Sequence, residues 1–519
     1  MLLSIQRLFY NEITLKKILC FLVTVAVVFA CAKKSVPKPD TINIAVPYEL
    51  DTLDPHAKVW LSSYAVSSNF YEALVSIDEN MRIVPCLAKR WENPDLYTWV
   101  FHLEPSVRFH DGKMMRAEDV VYSFNRLIGS EELALSTYLT NVSEVEALDP
   151  LTVRVRTKSR LAILLNKLYN VFIIPNGSSA EELAVRVNGT GPYKLAKWEK
   201  GSLIQMERNE KYWGKKPALR KVNYYLNQSP RQAVQNLVSG KCQLAQYDSK
   251  KFEAAVSSLG HFEIVRHDNF FLKYLSYDVS RNVTPYSKVR PNPFKNILVR
   301  QAIHIGIDRD RLVSGLPSYA VPAVQPVPAF VFGYNPNIRP PTSNRVEAKR
   351  LLAQAGFPNG FEVTLHERQI LEETGVLIKN QLERIGIRVQ LKALSDEEFF
   401  EALDKGNFTF FLSRVGATIG DASDILEPQF HSKDLSRHFG VRNYIGYRNP
   451  IVNQAIEESA GILKPEERRS VLQKIMSILM EDLPWVPLYI DQDVYAIDKA
   501  FSWQPRPDSY ILAYEIGLK

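Results

Sequence analysis

Two consecutive helix–strand units between residues 345 and 391 most constrain the fold of this 519-residue chain. Each unit has apolar residues at helical spacing, then a glycine, then a short strand-like apolar run: 346–355, Gly356 and 361–365, followed by 376–385, Gly386 and 387–391. Glycine adopts the left-handed conformation that often ends a helix, and runs rich in β-branched residues just beyond it indicate strands. The repeat therefore predicts βαβ units, a largely parallel sheet and an α/β fold class.

The first third of the chain has a different pattern. Residues 42–46 alternate as a strand, and residues 98–109 and 150–157 also have strand character. From residue 296 onward helical spacing dominates, and Asp308 can cap a helix there. We therefore expect the α/β lobe at 285–485 to be distinct from the first, with the chain then returning to the first lobe.

The N-terminus has the pattern of an export signal. Lys16 and Lys17 precede an apolar run, 18–30, which is too short to span a bilayer as a helix. The run ends at Cys31, and a polar segment rich in lysine and proline follows. The sequence Val-Phe-Ala-Cys resembles a bacterial lipobox, whose cysteine is lipidated. We expect a signal peptide at 1–30, lipidation at Cys31 and a tether at 31–40; an ordinary signal peptide or a short uncleaved anchor is the alternative.

Charge and cysteine content exclude some classes of protein. The net charge of +7 is dispersed, and no block of lysine and arginine alternates with aromatic residues, so we expect no nucleic-acid partner. Cys86 and Cys242 are the cysteines of the predicted folded part. They are far apart in the sequence and have no spacing motif, so two free buried thiols are favoured over a disulfide.

No enzyme or metal motif is present in the sequence. His366-Glu367 lacks the second histidine of a zinc-protease helix, and Gly189-Thr190-Gly191 is not followed by the rest of a phosphate-binding loop. No Gly-x-Ser-x-Gly nucleophile motif occurs. We therefore predict no catalytic residues, no metal and no cofactor.

The polar stretch 107–127 contains His110, Asp111, Glu118 and Asp119. Sequence proximity alone does not make an acid–base site, which needs a pocket and mutual geometry. Asp111-Gly112 after an alternating run predicts a hairpin turn, and the two later acids fit the first turn of an amphipathic helix. We favour this structural interpretation over catalysis.

Several phrases resemble, in order, those of the extracytoplasmic solute-binding proteins of peptide ABC importers, family 5. They are TLDP at 52–55, FHDGK with AEDV and YS between 109 and 123, GTGPY at 189–193, YWG at 212–214, VRQA with IDR between 299 and 309, and the helix with its glycine at 348–356. The similarity covers about residues 42–500. Each phrase alone is weak, but together they are specific for this family.

The resemblance implies a two-lobed periplasmic-binding-protein clamp, type II-like, with three subdomains, mixed sheets and crossover hinge strands. We expect lobe I at 41–278 with an inserted subdomain at about 80–190, lobe II at 285–485 and a C-terminal return at 486–519. The crossing segments are expected at 269–279 and 488–495. Such a protein closes on a ligand between its lobes and cleaves nothing.

The resemblance also implies partners and a location. The ligand is expected to be an oligopeptide or peptide-like solute, delivered to the permease and ATPase subunits of an ABC importer. The protein is expected to be a monomer in the periplasm or at the cell surface, held to the membrane by its N-terminal lipid. The alternatives are a non-peptide solute (nickel chelate, opine or oligosaccharide) or a sensor or adhesin that no longer takes part in transport.

Two groups of ligand-binding residues are expected by analogy. Glu49 and Leu50 precede TLDP, where family members present ligand-facing residues; a solvated acid beside a packed leucine is the alternative. Tyr274 is a candidate for an aromatic wall of the cleft, although tyrosines at such positions more often pack in a core or at a rim.

The segment 413–424 departs from the family pattern. Family members typically have tryptophan where Arg414 stands and an aspartate near Ala417 that receives the peptide ammonium group; both are absent here. In a cleft, the planar guanidinium of Arg414 would suit a carboxylate or phosphate; on the surface it would be a solvated cation. We include Gly416 and Asp421 in the predicted site, with helix capping as the alternative for Asp421 and for Asp424.

Overall fold

The computed structural model describes residues 39–58, 61–247 and 249–519. The predicted signal peptide and Cys31 lie outside these residues. Residues 41–517 form one compact unit. In the described part of the chain, no helix has both the length and the hydrophobicity to span a bilayer.

The strands are numbered in chain order. They are β1 (Thr41–Ala45), β2 (Val75–Ile77), β3 (Ile83–Pro85), β4 (Ala88–Glu92), β5 (Thr98–Leu103), β6 (Val142–Asp149), β7 (Thr152–Thr157), β8 (Tyr193–Glu199), β9 (Leu203–Arg208), β10 (Lys221–Tyr225), β11 (Leu244–Tyr247), β12 (Phe262–Tyr277), β13 (Ala320–Pro322), β14 (Phe361–Arg368), β15 (Ile387–Leu394), β16 (Phe410–Gly416), β17 (Trp485–Asp498), β18 (Phe501–Ser502) and β19 (Gly517–Leu518).

The α-helices are numbered in the same way. They are α1 (Leu61–Ser67), α2 (Ala117–Leu127), α3 (Leu164–Leu168), α4 (Ala180–Val185), α5 (Pro230–Val238), α6 (Lys250–Ser257), α7 (Ile297–Gly306), α8 (Arg309–Gly315), α9 (Arg345–Gln354), α10 (Glu372–Glu383), α11 (Asp396–Asp404), α12 (Ser423–Phe430), α13 (Pro450–Ser459) and α14 (Pro465–Asp482). Short 3-10 helices cover Ala134–Tyr138, Pro293–Lys295, Gln369–Leu371, Leu435–Arg437 and Ala513–Glu515.

One mixed sheet of eleven strands organises the molecule. Its order is β15-β14-β16-β12-β17-β11-β1-β10-β9-β8, and β13 pairs with β17. Strand β14 is parallel to both β15 and β16, and β1 is parallel to both β10 and β11. Strands β12 and β17 pair antiparallel and join these two parallel groups.

The helix–strand repeat predicted from the sequence is confirmed. Helices α9 and α10 precede β14 and β15, and both strands lie parallel and in register from Phe361↔Ile387 onward. Gly356 and Gly386 both have positive φ, 93° and 102°, as the helix ends require.

Two hydrophobic clusters cover opposite faces of the half of the sheet that contains β14, β15 and β16. Alternate residues of one strand point to opposite faces, so Phe410 and Leu412 lie in one cluster and Phe411 in the other. The first cluster includes apolar residues of α7, α9 and α10; the second includes those of α12, α13 and α14. Strands β14 and β16 are therefore largely buried on both faces, whereas the edge strand β15 leaves alternate side chains exposed.

The turn and the helix start predicted within the polar stretch 107–127 are both present. Gly112 has φ +96° in a tight turn, where its backbone N–H donates to the Phe109 carbonyl. Asp119 accepts the backbone N–H groups of Arg116 (2.7 Å) and Asn176 (2.8 Å) at the start of α2. Burial lowers the pKa of His110 to about 4, so this imidazole is neutral at pH 7.

The two folded-part cysteines are free thiols. Cys242 is buried in a cluster with apolar residues of α5, α6, β11 and β17, whereas Cys86 is only half-buried. The prediction of free thiols is confirmed for both cysteines. The prediction that both are buried is confirmed for Cys242 and is wrong for Cys86.

Candidate functional site

The parallel strands of one half of the sheet end at a common edge. Because β14, β15 and β16 run in the same direction, their carboxyl ends share one edge of the sheet; Arg368 and Leu394 are register partners, and β16 continues beyond them to Gly416. In open α/β sheets, ligands bind beside the carboxyl ends of the strands. This edge is therefore a candidate binding site.

Two long strands cross between the halves of the sheet close to this edge. Residues 272–276 of β12 pair with the first part of β17, and residues 262–268 pair with its last part. Between Asp268 and Leu272 the register shifts, and a second shift follows between Lys273 and Tyr274. A break in the ladder lets a strand bend, so this segment is suited to act as a hinge.

Arg414 lies in β16 near the carboxyl edge and is half-buried. Its guanidinium carbon is 5.0 Å from the centroid of the Phe271 ring, a distance at which a cation and an aromatic face attract each other. Burial and the nearby Arg368 lower the pKa of Arg414, whereas Asp396 acts in the opposite direction. Even a lowered pKa leaves an arginine charged at pH 7.

Lys273 is directly opposite Arg414 in the antiparallel register of β12 and β16. It is 4% exposed, and its ammonium group pairs with Asp491 of β17. Burial lowers the pKa of Lys273, and the charges of Arg414 and Arg368 act in the same direction, whereas the charge of Asp493 opposes them.

Arg368 is a third cation at the edge. It lies at the end of β14, is 6% exposed, and donates from Nε and Nη2 to the two oxygens of Asp396. Its neighbour Glu367 is 1% exposed, and burial together with Glu372 raises its pKa to about 8. Oε2 of Glu367 has no hydrogen-bond partner among the described residues, so the protonated form is favoured at pH 7.

The structure places Asp421 in a buried ion pair. Its Oδ2 accepts from Nη1 of Arg468 at 2.5 Å, and its Oδ1 accepts from Nη2 of Arg468 and from the Ser423 backbone. Both residues are about 95% buried or more. The nearby Asp424 accepts from the hydroxyl of Thr418 at 3.1 Å. Both carboxylates thus hold the 417–424 loop in shape.

The other residues predicted for the site lie in the loop after β1 and in the strands β12 and β16. Glu49 is exposed and Leu50 is buried in the loop after β1. Tyr274 is 5% exposed and stacks on Trp485 at a centroid distance of 3.7 Å. An added Cβ at Gly416 would lie 3.1 Å from the Phe271 ring. Arg414 and Gly416 therefore share contact with Phe271, while Tyr274 packs on the opposite face.

Sequence reasoning missed Lys273 and Arg368. The signal for Lys273 was its position within an apolar strand: Phe270-Phe271-Leu272 precedes it, and further apolar residues follow it. The signal for Arg368 was weaker, because the predicted strand ended at residue 365 whereas β14 continues to Arg368.

A cavity of about 700 Å³ lies beside the 417–424 loop. It is lined by residues 80–83, by Trp91 and Trp99, and by the segments 329–334 and 462–469. Asp421 and Arg468 line it, but Lys273, Arg368 and Arg414 do not. The cavity and the cationic edge are therefore separate features.

The loop also contacts the segment that carries α3. Asn166 Nδ2 donates to the Ile419 carbonyl at 3.0 Å, and the Tyr169 hydroxyl donates to the Thr418 carbonyl at 2.8 Å.

Among the described residues, no group of three or more histidine, cysteine, aspartate or glutamate side chains is placed to hold a metal ion.

Comparisons with known proteins agree with this architecture. The chain is 26% identical over 479 residues to the glutathione-binding protein GsiB of Shigella dysenteriae, which covers 88% of this chain and 90% of the relative. The structure of HbpA2 from Haemophilus parasuis superposes with a TM-score of 0.81 at 21% identity, covering 92% of this chain and all of that one.

A third comparison is the periplasmic binding protein DppA of Helicobacter pylori in complex with the peptide STSA. It has a TM-score of 0.72 at 24% identity and covers 92% of this chain and 98% of its own. These similarities confirm the two-lobed α/β fold class predicted from the sequence. Residues 82–437 match the family described as bacterial extracellular solute-binding proteins, family 5 Middle. The chain belongs to family 5 of the bacterial extracellular solute-binding proteins, the receptors of ABC importers.

Proposed function

We propose that this receptor captures an oligopeptide or peptide-like solute by closure of its lobes and delivers it to a membrane permease. The observation that carries the proposal is the cationic carboxyl edge of β14 and β16 next to the crossing strands β12 and β17. The names of two similar proteins agree with it, because one binds glutathione and the other was solved with a peptide.

Closure follows from the way the two halves are joined. Two strands with breaks in their pairing can bend without disrupting the helix-covered strands on either side. Closure around a ligand removes water and strengthens each polar contact made to it. Lobe I at 41–278, lobe II at 285–485 and the return at 486–519 are the boundaries that we propose for the moving parts.

The peptide ammonium group needs a different partner in this chain. Asp421 is occupied by Arg468 on both of its oxygens, so binding an ammonium ion there would require breaking a buried ion pair. Exposed Glu49 has no such commitment among the described residues. We therefore propose Glu49 as the ammonium-facing residue and Leu50 as its packed neighbour, with Asp421 as a support for the loop.

Membrane attachment through Cys31 is part of the proposal. Metabolic labelling with palmitate in a bacterial host should mark the wild-type chain, and the Cys31→Ser variant should be unlabelled. Labelling that persists in the variant would contradict lipidation at this residue.

The proposed ligand class is tested by titrating the purified chain with a mixed peptide pool while following intrinsic fluorescence. Saturable quenching or enhancement is expected, because the chain has seven tryptophans and the lobes move on closure. No change in a chain shown by circular dichroism to be folded would contradict peptide capture, and would favour a non-peptide solute or a docking function.

A further inference from the structure

Two cations face each other on adjacent strands beside the hinge. Lys273 and Arg414 are direct cross-strand partners, so their side chains project from the same face with Cβ atoms about 5 Å apart. The Lys273 ammonium is 5.9 Å from the centroid of the Phe271 ring, and the Arg414 guanidinium is 5.0 Å from the same centroid. Like charges placed directly opposite each other destabilise an antiparallel pair.

The carboxylates at this edge leave one of the cations without a partner. Asp491 pairs with Lys273, and Asp396 takes two donors of Arg368. Within the described ranges, no carboxylate or other hydrogen-bond acceptor contacts the Arg414 guanidinium. A half-buried guanidinium with open donors beside a buried ammonium ion is a strong attractor for an anion.

The position of the pair links it to closure. Lys273 lies directly between the two register shifts of β12, and its partner Asp491 lies on β17. Arg414 belongs to the carboxyl edge of the parallel strands. An anion held between them would therefore contact the parallel strands and the hinge at once.

We propose that Lys273 and Arg414 bind a carboxylate of the captured solute. This inference rests on the proposed function and gives it a ligand chemistry: recognition of a negative end or side chain. The guanidinium fork presents paired donors to the two carboxylate oxygens, while Lys273, which stays paired with Asp491, supplies a further N–H donor on the same face of the sheet. Phe271 holds both cations in place from one side.

Isothermal titration calorimetry with two matched pairs of probes tests the proposal. The pairs are reduced glutathione with glutathione diethyl ester, and trialanine with trialanine amide, so the members of each pair differ mainly in carboxylate charge. For whichever pair binds, the wild-type chain should prefer the free acid by about tenfold or more, as expected for a charge-assisted, partly buried contact.

Variants assign that preference to the pair. Arg414→Gln should remove most of the preference, and Arg414→Lys should retain part of it, because charge remains without the planar fork. The matched control is Arg388→Gln on β15, an exposed strand arginine of the same sheet, which should leave it unchanged. The double variant Lys273→Met/Asp491→Asn removes the whole buried ion pair and should also reduce the preference for the free acid.

The outcomes separate this inference from the proposed function. Equal affinity for acid and blocked probes, or an Arg414→Gln variant that retains the acid preference, overturns the carboxylate site while leaving peptide capture standing. An Arg414→Gln variant that weakens all probes equally also overturns it, because the residue then acts on the fold of the cleft. If the folded wild-type chain binds none of the four probes, the carboxylate site as proposed fails, and peptide capture fails with it when the mixed peptide pool also has no effect.

Discussion

At the scale of single residues, the structure separates groups that support the site from groups that are open to a ligand. Asp421 and Arg414 lie in the same segment, and both were predicted to contact the ligand. Both oxygens of Asp421 accept hydrogen bonds from Arg468, whereas the Arg414 guanidinium lies against the ring of Phe271 and has no carboxylate partner among the described residues. The open residue is the better candidate, because its donors need no internal bond to be broken.

Asp421→Asn should destabilise the protein by about 3–5 kcal/mol, because it leaves the buried Arg468 guanidinium without a counter-charge. Urea denaturation followed by circular dichroism measures this loss. The double variant Asp421→Asn/Arg468→Met should recover part of it. If Asp421→Asn instead kept full stability and lost ligand affinity, the carboxylate would be a ligand anchor.

Buried histidines should make the protein sensitive to acid. Burial lowers the pKa of His56, His110 and His366 to about 4 and that of His304 to about 3. Between pH 6.5 and 4 the unfolded chain then binds more protons than the folded one, so the free energy of unfolding falls as the pH is lowered. The loss reaches about 3 kcal/mol per histidine by pH 4, and it is absent at neutral pH and above.

The variant His304→Gln isolates one of these contributions. Nδ1 of His304 accepts a hydrogen bond from Arg309 at 3.1 Å, and a glutamine oxygen can accept the same bond without titrating. Urea midpoints measured from pH 7 to pH 4 should show a smaller pH slope for the variant, by up to about one proton. An unchanged slope would mean that His304 is not neutral in the folded state.

At the scale of elements, the sequence was most informative where periodicity and glycine act together. The α9–β14 and α10–β15 units follow from the apolar pattern and from Gly356 and Gly386. The hairpin at Asp111-Gly112 was predictable for the same reason. Two features were not predictable: the register shifts of β12 and the cross-strand pairing of Lys273 with Arg414. Pairing between distant strands depends on tertiary packing, which local periodicity does not encode.

The loop before β14 offers a test of this account of the glycines. A Cβ at Gly360 would lie 1.7 Å from the Gly386 carbonyl oxygen, and φ there is +68°. Gly360→Ala should therefore lower the free energy of unfolding by about 3 kcal/mol or more. Gly356→Ala is the matched control: its φ is +93° but nothing lies within 4 Å, so about 1–2 kcal/mol is expected. Equal thermal denaturation of the two variants would contradict the predicted clash.

At the scale of the whole molecule, we propose that function depends on two sheet regions joined by strands that bend. Each region has its own parallel strands, and β12 and β17 carry the chain between them. The family similarity establishes a solute receptor of an ABC importer, and the fold class was accessible from ordered sequence phrases. The ligand could not be predicted from the sequence, because the segment 413–424, where the predicted specificity residues lie, departs from the family pattern.

The most direct test of peptide capture is native mass spectrometry of the chain purified without refolding, followed by denaturation and identification of the released molecule. We predict a co-purified peptide or peptide-like solute that carries a free carboxylate. A released molecule that is not peptide-like, or an empty protein that also ignores peptide pools, would contradict the account.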